Sequence, residues 1–313
     1  MNGILGRLFR GETTFNFVGR RWWGFGVSIA FVVVTFISLF AQGLNLGIDF
    51  RGGVAWEVPA ATITVEDVRA ILDGNEIPTA DAKIQVLNGA DGKHIRAQVG
   101  EISTETRAIV QAALSAKAGV ELQEVSVASV SSSWGRSITE KAVRALLIFF
   151  VIVSLYIAWR FEWKMAVAAI LAMMHDVLIS VGVYSTFGFS VTPATVIAFL
   201  TILGFSLYDT IVVFDKVHEN TTRYSASKVS YGDIINVSMN KVLMRSINTS
   251  IAAVLPVLSL LVLGSWVMGA IALQEFALAL LIGLLLGTYS SIFVATPLLA
   301  VFKDRETKYR SLQ

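Results

Sequence analysis

Six runs of the chain, at about 23–40, 142–159, 165–187, 191–214, 247–264 and 269–302, are apolar on every helical face, which a water-exposed helix does not sustain. Crossing a hydrocarbon core about 30 Å thick takes about 20 such residues in an α-helix. The runs therefore predict six membrane-spanning helices. Charge is correspondingly scarce: 15% of residues are Asp, Glu, Lys or Arg and 55% are hydrophobic, against roughly 25% charged in an ordinary soluble chain. The last run is over-long for one crossing, which predicts a tilted helix or a short re-entry. Arg20 and Arg21 precede the first run, a pattern shared by signal peptides and membrane anchors. Its length, and the lack of a small-x-small pattern at Leu39-Phe40-Ala41, favour an uncleaved anchor. Upstream, Ile4, Leu5, Leu8 and Phe9 alternate with Arg7 and Arg10, which predicts a short interfacial helix.

Between the first and second runs the sequence turns soluble. A strand over Gly53–Val58 precedes a helix from Thr64, with Asp67 placed for a capping box. Two strands, Ala82–Leu87 and His94–Val99, flank the turn sequence of residues 88–92. A helix over Thr104–Ala118 ends at Gly119, and a strand over Glu121–Val130 follows. The order βαββαβ predicts an α+β ferredoxin-like domain. The expected organisation is an interfacial segment (1–22), a first transmembrane helix (23–44), an external α+β domain (45–137), transmembrane helices two to six (138–302) and a tail (303–313).

Lys and Arg mark the side on which each connection lies. Arg7, Arg10, Arg20 and Arg21 precede helix one; Arg160 and Lys164 separate helices two and three; Lys216, Arg223, Lys228, Lys241 and Arg245 fall between four and five; Lys303, Arg305, Lys308 and Arg310 follow six. The connections at 188–190 and 264–269 carry no charge. Both termini are therefore expected in the cytoplasm and the domain outside. The net charge of +2, with no basic stripe, gives no sign of a nucleic-acid partner. The chain has no cysteine, so disulfides and thiolate metal sites are excluded. There is no GxSxG, Walker loop or HExxH, and His94, His175 and His218 are scattered. No enzyme, cofactor or metal site is expected.

Several residues are out of place in a bilayer. His175 and Asp176 lie midway along the third helix, and Asp209 lies in the fourth with Ser206 and Thr210 beside it. A charge at a helix centre costs at least about 2.5–3.5 kcal/mol on insertion scales, so such groups face a partner or water. At 1.5 Å per residue Asp209 lies roughly 24 Å beyond Pro193. That is close to the level of Arg245, so the two would meet if their helices are neighbours. The pattern fits a proton relay. It also fits polar groups that only knit helices together.

Five segments carry a resemblance: Leu46-Gly-Ile-Asp-Phe-Arg-Gly-Gly53 after the first helix; His175-Asp176, Gly204–Asp215 and Arg245 with Thr249-Ser250 in the middle; and Gly287–Leu298 near the end. In this order they resemble the SecD/SecF family of protein-export subunits, and the layout with one modest outer domain is similar to its SecF branch. Tyr208 stands where that family commonly has Asn, and Ser246 where Thr usually follows the Arg. The resemblance implies a multi-pass protein of the bacterial cytoplasmic membrane, in the resistance-nodulation-division superfamily. It implies a heterodimer with a SecD-like subunit that assists the SecYEG–SecA translocon, using the proton motive force to draw unfolded polypeptide outward. Asp209 and Arg245 would belong to the proton pathway. Gly47, Asp49, Phe50, Gly52 and Gly53 would form a hinge-like junction with the outer domain. The competing readings are a non-transporting scaffold subunit and a stand-alone proton-coupled half-transporter.

Overall fold

The computed structural model describes residues 13–79, 82–89, 92–224, 229–267 and 271–304. Helix α1 (Arg21–Ala41) leads through β1 (Asn45–Leu46) and the one-turn helix α2 (Ile48–Arg51) into an outer domain. That domain comprises β2 (Gly53–Pro59), α3 (Val65–Gly74), β3 (Lys83–Gly89), β4 (Gly92–Val99), α4 (Thr104–Ala118) and β5 (Ser126–Val130). The chain then returns through α5 (Ser132–Arg160), α6 (Trp163–Phe187), β6 (Ser190–Val191), α7 (Pro193–Arg223) and α8 (Tyr231–Leu261). Helix α9 (Ile271–Ser290) continues through a π turn (Ser291–Ala295) into α10 (Thr296–Asp304).

Among the described residues six helices have the length and apolarity to cross a membrane: α1, α5, α6, α7, Tyr231–Gly264 and Leu273–Asp304. The protein is a multi-pass membrane protein with one α+β insertion. The four strands β2 to β5 form an antiparallel sheet in the order β3-β4-β2-β5, the ferredoxin-like arrangement expected. Register explains its core. Val54, Trp56 and Val58 lie opposite Val99, Ala97 and Ile95, so alternate residues of both strands share one face. Val68 and Leu72 of α3 and Val110 and Leu114 of α4 close over that face. The buried Trp56 satisfies its indole N–H on the Arg107 carbonyl at 3.3 Å.

Local chemistry sets the element ends. The Thr64 hydroxyl accepts from the Asp67 N–H at 3.2 Å while the Asp67 carboxylate accepts from the Thr64 N–H at 3.0 Å, completing the capping box. Gly119 takes φ +68, the left-handed cap that ends α4. The last strand is shorter than expected. Glu121 opens a 3-10 turn over Leu122–Glu124, closed by its N–H on the Glu124 carboxylate, and pairing starts only at Ser126. Helix α5 begins at Ser132, capped by the Ser131 hydroxyl, so residues before its apolar run already belong to the spanning helix.

Of the tilt or re-entry expected of the sixth span, no re-entry occurs among the described residues; the excess length lies in a helical span with a π turn. The interfacial helix expected at Ile4–Phe9 lies outside the described residues. Small residues bring the spans together, as is usual where lipid is as apolar as leucine. A Cβ on Gly182 would strike Thr35, one on Gly283 would strike Ile202, and one on Gly287 would come within 2.9 Å of Ser206. The span ends remote from the outer domain are tied by Arg21–Asp304 at 2.9 Å, Arg160–Asp215 at 2.9 Å and Lys303–Glu162 at 2.5 Å.

Candidate functional site

A polar seam runs through the most deeply packed part of the bundle, where α6, α7, α8 and the sixth span converge. Asp176 on α6 and Asp209 on α7 are both buried there, 1% and 2% exposed. Oδ2 of Asp176 accepts from the Ser206 hydroxyl at 2.5 Å and from the Ser290 hydroxyl at 2.7 Å. Its Oδ1 faces Nδ1 of His175 at 3.2 Å. Asp209 accepts from the Ser246 hydroxyl on Oδ1 and from the Ser291 hydroxyl on Oδ2. A third hydroxyl pair, Ser250 with Thr288 at 2.7 Å, continues the seam between α8 and α9.

Helical spacing places these groups. Ser206, Asp209, Thr210 and Val213 fall at i, i+3, i+4 and i+7 and make the buried stripe of α7. On the sixth span, Ser290 and Ser291 are neighbours and would point about 100° apart in a regular α-helix. The π turn starting at Ser291 lets one serine serve Asp176 and the next serve Asp209. Such turns recur at functional sites. The close approach at Gly287 brings both serines within reach. Thr296 also donates its hydroxyl to the Ser291 carbonyl at 2.7 Å, within the π turn.

The expected pair of Asp209 and Arg245 does not form. Arg245 is exposed and makes no ion pair among the described residues. One step along α8 turns the direction by about 100°, and Ser246, buried at 1% exposure, hydrogen-bonds Asp209 instead. Thr210 is buried in the same stripe. His175 joins the seam from its edge, with its ring stacked on Tyr289 at 6.3 Å and Nε2 buried without a hydrogen-bond partner among the described residues. The Tyr289 hydroxyl in turn donates to the Gly24 carbonyl at 2.8 Å, linking the seam to α1. No cluster of three or more His, Cys, Asp or Glu that could hold a metal occurs among the described residues.

The junction motif lies at the other end of the molecule. The Gly47 N–H donates to Val191 across the β1–β6 pair at 2.9 Å. Phe50 is buried among Tyr184, Val191, Ala198 and Ala279, so α2 is wedged into the bundle. Gly52 has φ +75, and a Cβ there would lie 2.6 Å from the Ser132 backbone; Gly53 has φ +123, and its Cβ would strike the Val99 carbonyl. Both positions therefore need glycine twice over. Asp49 lies beside a second link that the sequence did not disclose. Arg96 of β4 sits 3.5 Å from Glu57 of β2 and 3.5 Å from Glu275 at the head of the sixth span, tying sheet to bundle.

Ser246, Ser290, Ser291, Arg96 and Glu275 were not singled out as site residues. A Ser-Ser pair inside an otherwise apolar span was the available signal for two of them.

Fold and seam together define a multi-pass membrane protein that encloses titratable carboxylates between its spans beneath an outer α+β domain. The family described as protein export membrane protein SecD/SecF, C-terminal, matches residues 109–305, and the SecD/SecF GG motif matches residues 37–55. The protein translocase subunit SecF of Mycobacterium tuberculosis is 40% identical over 99% of this chain and 72% of its own length. That of Streptomyces coelicolor is 41% identical over 99% of this chain and 83% of its own. A crystal structure of SecDF from Thermus thermophilus, titled a translocon-associated membrane protein, superposes with a TM-score of 0.84 at 32% identity. It covers 94% of this chain, which spans 39% of that longer one. The chain belongs to the SecD/SecF family of protein-export membrane proteins.

Proposed function

We propose that this chain is the SecF-type half of a SecD/SecF pair in a bacterial cytoplasmic membrane, where protons moving through the Asp176–Asp209 seam drive the outer domain to assist polypeptide export through SecYEG and SecA. The observation that carries this reading is the identity of the groups around the carboxylates. Each is held by side-chain hydroxyls from neighbouring helices. A hydroxyl donates to a carboxylate and accepts from a carboxylic acid, so it serves both protonation states in place. An arginine or a backbone N–H can only donate, so it offers nothing to the O–H of the acid. A proton can thus arrive or leave without stranding a buried polar group, while the preferred hydroxyl directions, and with them the helix positions, change.

Three further features support the reading. The Lys and Arg distribution favours cytoplasmic termini and an external domain. Tyr208, Arg245 and Asn248 are exposed on the faces of α7 and α8, and polar groups left against lipid are costly enough to call for a partner. A SecD-like half is that partner; the relative named SecDF, from Thermus thermophilus, has in one chain the length for both halves. Arg245, pointing outward, is assigned to that interface, from which it acts on Asp209 when the halves move. Gly52 and Gly53 with the Arg96–Glu275 link transmit the movement to the outer domain.

The test is Asp209→Asn in the assembled complex, reconstituted in vesicles, with proton flux and preprotein translocation measured together. Assembly should be unchanged and proton-driven export should fall at least about tenfold, because Asn hydrogen-bonds but carries no titratable proton. Normal proton-driven export by the assembled variant would leave the seam as scaffold only.

A further inference from the structure

A cavity of about 550 Å³ opens where the outer domain meets the ends of α1 and α6, a size in the range of small-ligand sites. Three cations line it, each from a different element: Arg51 at the end of α2, Arg69 on α3 and Lys83 at the head of β3. Among the described residues that line it, none is Asp or Glu. None of the three cations forms an ion pair with an acid among the described residues. Glu101, which shares an adjoining cavity with Arg51 and Lys83, is engaged by the N–H and hydroxyl of Ser132. Burial first, and then the Arg51 guanidinium, push the Lys83 ammonium below the usual lysine range. Two exposed guanidiniums and one half-buried ammonium are thus gathered on one wall, where, among the described residues, the neutral Asn45 Oδ1 accepts from Lys83. Such a cluster suits an anionic group, which guanidinium and ammonium donors bind through charge-assisted hydrogen bonds.

Position identifies its source. Helix α1 ends at Ala41 and α6 at Phe187, so the cavity sits where two spans leave the hydrocarbon. Phe40 and Phe187, close along the chain to the lining residues Gln42 and Gly188, are exposed at 89% and 69%, and Phe187 stacks on Phe189 at 5.6 Å. Phenylalanine rings exposed at span ends favour contact with lipid chains over water. We propose that the cavity binds the phosphate of an anionic phospholipid headgroup, held by Arg51, Arg69 and Lys83, with the acyl chains descending past Phe40 and Phe187. An acidic stretch of polypeptide offers the charge but nothing to cover the two phenylalanines. The lipid comes from the leaflet on the outer domain's side; that this is the outer leaflet rests on the orientation proposed above, whereas binding itself does not.

The full chain, purified with its partner half, is incubated with mixed micelles containing phosphatidylglycerol and phosphatidylcholine, and retained lipid is counted by native mass spectrometry. Phosphatidylglycerol should be retained at least about tenfold over phosphatidylcholine, as expected for several basic contacts to an anionic headgroup. The triple variant Arg51→Gln, Arg69→Gln, Lys83→Gln should fall to the phosphatidylcholine level. The charge-keeping Arg51→Lys, Arg69→Lys protein should retain the preference, which separates loss of charge from loss of fold. Undiminished preference in the triple variant would overturn the site. So would displacement of phosphatidylglycerol by millimolar inorganic phosphate, which would make it a free-anion site, or by a soluble acidic peptide, which would assign it to the exported chain.

Discussion

The core of the outer domain is built from Val, Ile, Leu, Ala and one Trp, whereas the membrane bundle, beside an apolar cluster of its own, buries two carboxylates, several serines and close-set glycines. The two regions face different solvents, and that accounts for the difference. Against water, each Å² of apolar surface removed is worth about 25 cal/mol, so the outer domain gains by hiding methyl groups. Against lipid tails the same burial gains little, and close approach and hydrogen bonding decide which helices meet. Methyl groups should therefore matter most in the outer domain, and glycines and hydroxyls in the bundle.

The largest effect expected from this contrast is at Trp56. Trp56→Ala should destabilise the outer domain by about 3–5 kcal/mol, read as a lowered denaturation midpoint of a fragment covering residues 45–131, which should itself melt cooperatively. A fragment without cooperative melting would remove the contrast at its root. Next is Gly287→Leu, which forces α9 away from Ser206 and should cost about 1–3 kcal/mol of bundle stability. It should also uncouple both serines from their carboxylates and abolish export, while amide exchange in the outer domain stays unchanged. Smaller still, Ser291→Ala removes one donor to Asp209, an interaction of about 0.6–1.7 kcal/mol within a bilayer. Export should drop several-fold, and Ser291→Thr should restore it; equal loss in both variants would indicate a packing role instead.

The smallest effect sharpens the aqueous side. The Asp67 carboxyl is held down at about 2 by the Thr64 hydroxyl first, then the Thr64 N–H and Lys117. Its folded value lies below its ordinary 3.8, so its contribution is complete above that value and is lost as pH falls toward 2. Thr64→Ala should return the carboxyl toward the ordinary range in an NMR titration, and the acid limb of the melting curve should flatten between those two values.

Much of this was legible in the sequence because it depends on periodicity and length. The apolar runs gave the spans, alternation gave the sheet, and Thr64 with Asp67 gave a helix start that the structure reproduces. Asp176 and Asp209 stood out because hydrocarbon does not tolerate them alone. What escaped notice was direction. Arg245 and Ser246 occupy the same depth, and only the packing of α8 on α7 decides which of them faces Asp209. Likewise, two adjacent serines cannot both face inward on a regular helix, and a change of hydrogen-bond register leaves no mark in hydropathy. The Arg96–Glu275 link joins residues far apart in the chain, so no local pattern could announce it.

The π turn at Ser291–Ala295 has a consequence in simple counting. A π turn holds one residue more than an α-helix needs to join the same two ends, so the sixth span carries a surplus residue. Deleting a residue elsewhere in a spanning helix swings everything beyond it by about 100°. Deleting Ile292 should instead let the segment close as ordinary α-helix, with Leu299, Ala300 and Lys303 still turned toward their present neighbours. The shortened protein should insert and fold, yet its two serines would no longer reach both carboxylates. The extra residue is dispensable to the span as an anchor and indispensable to its having two points of grip.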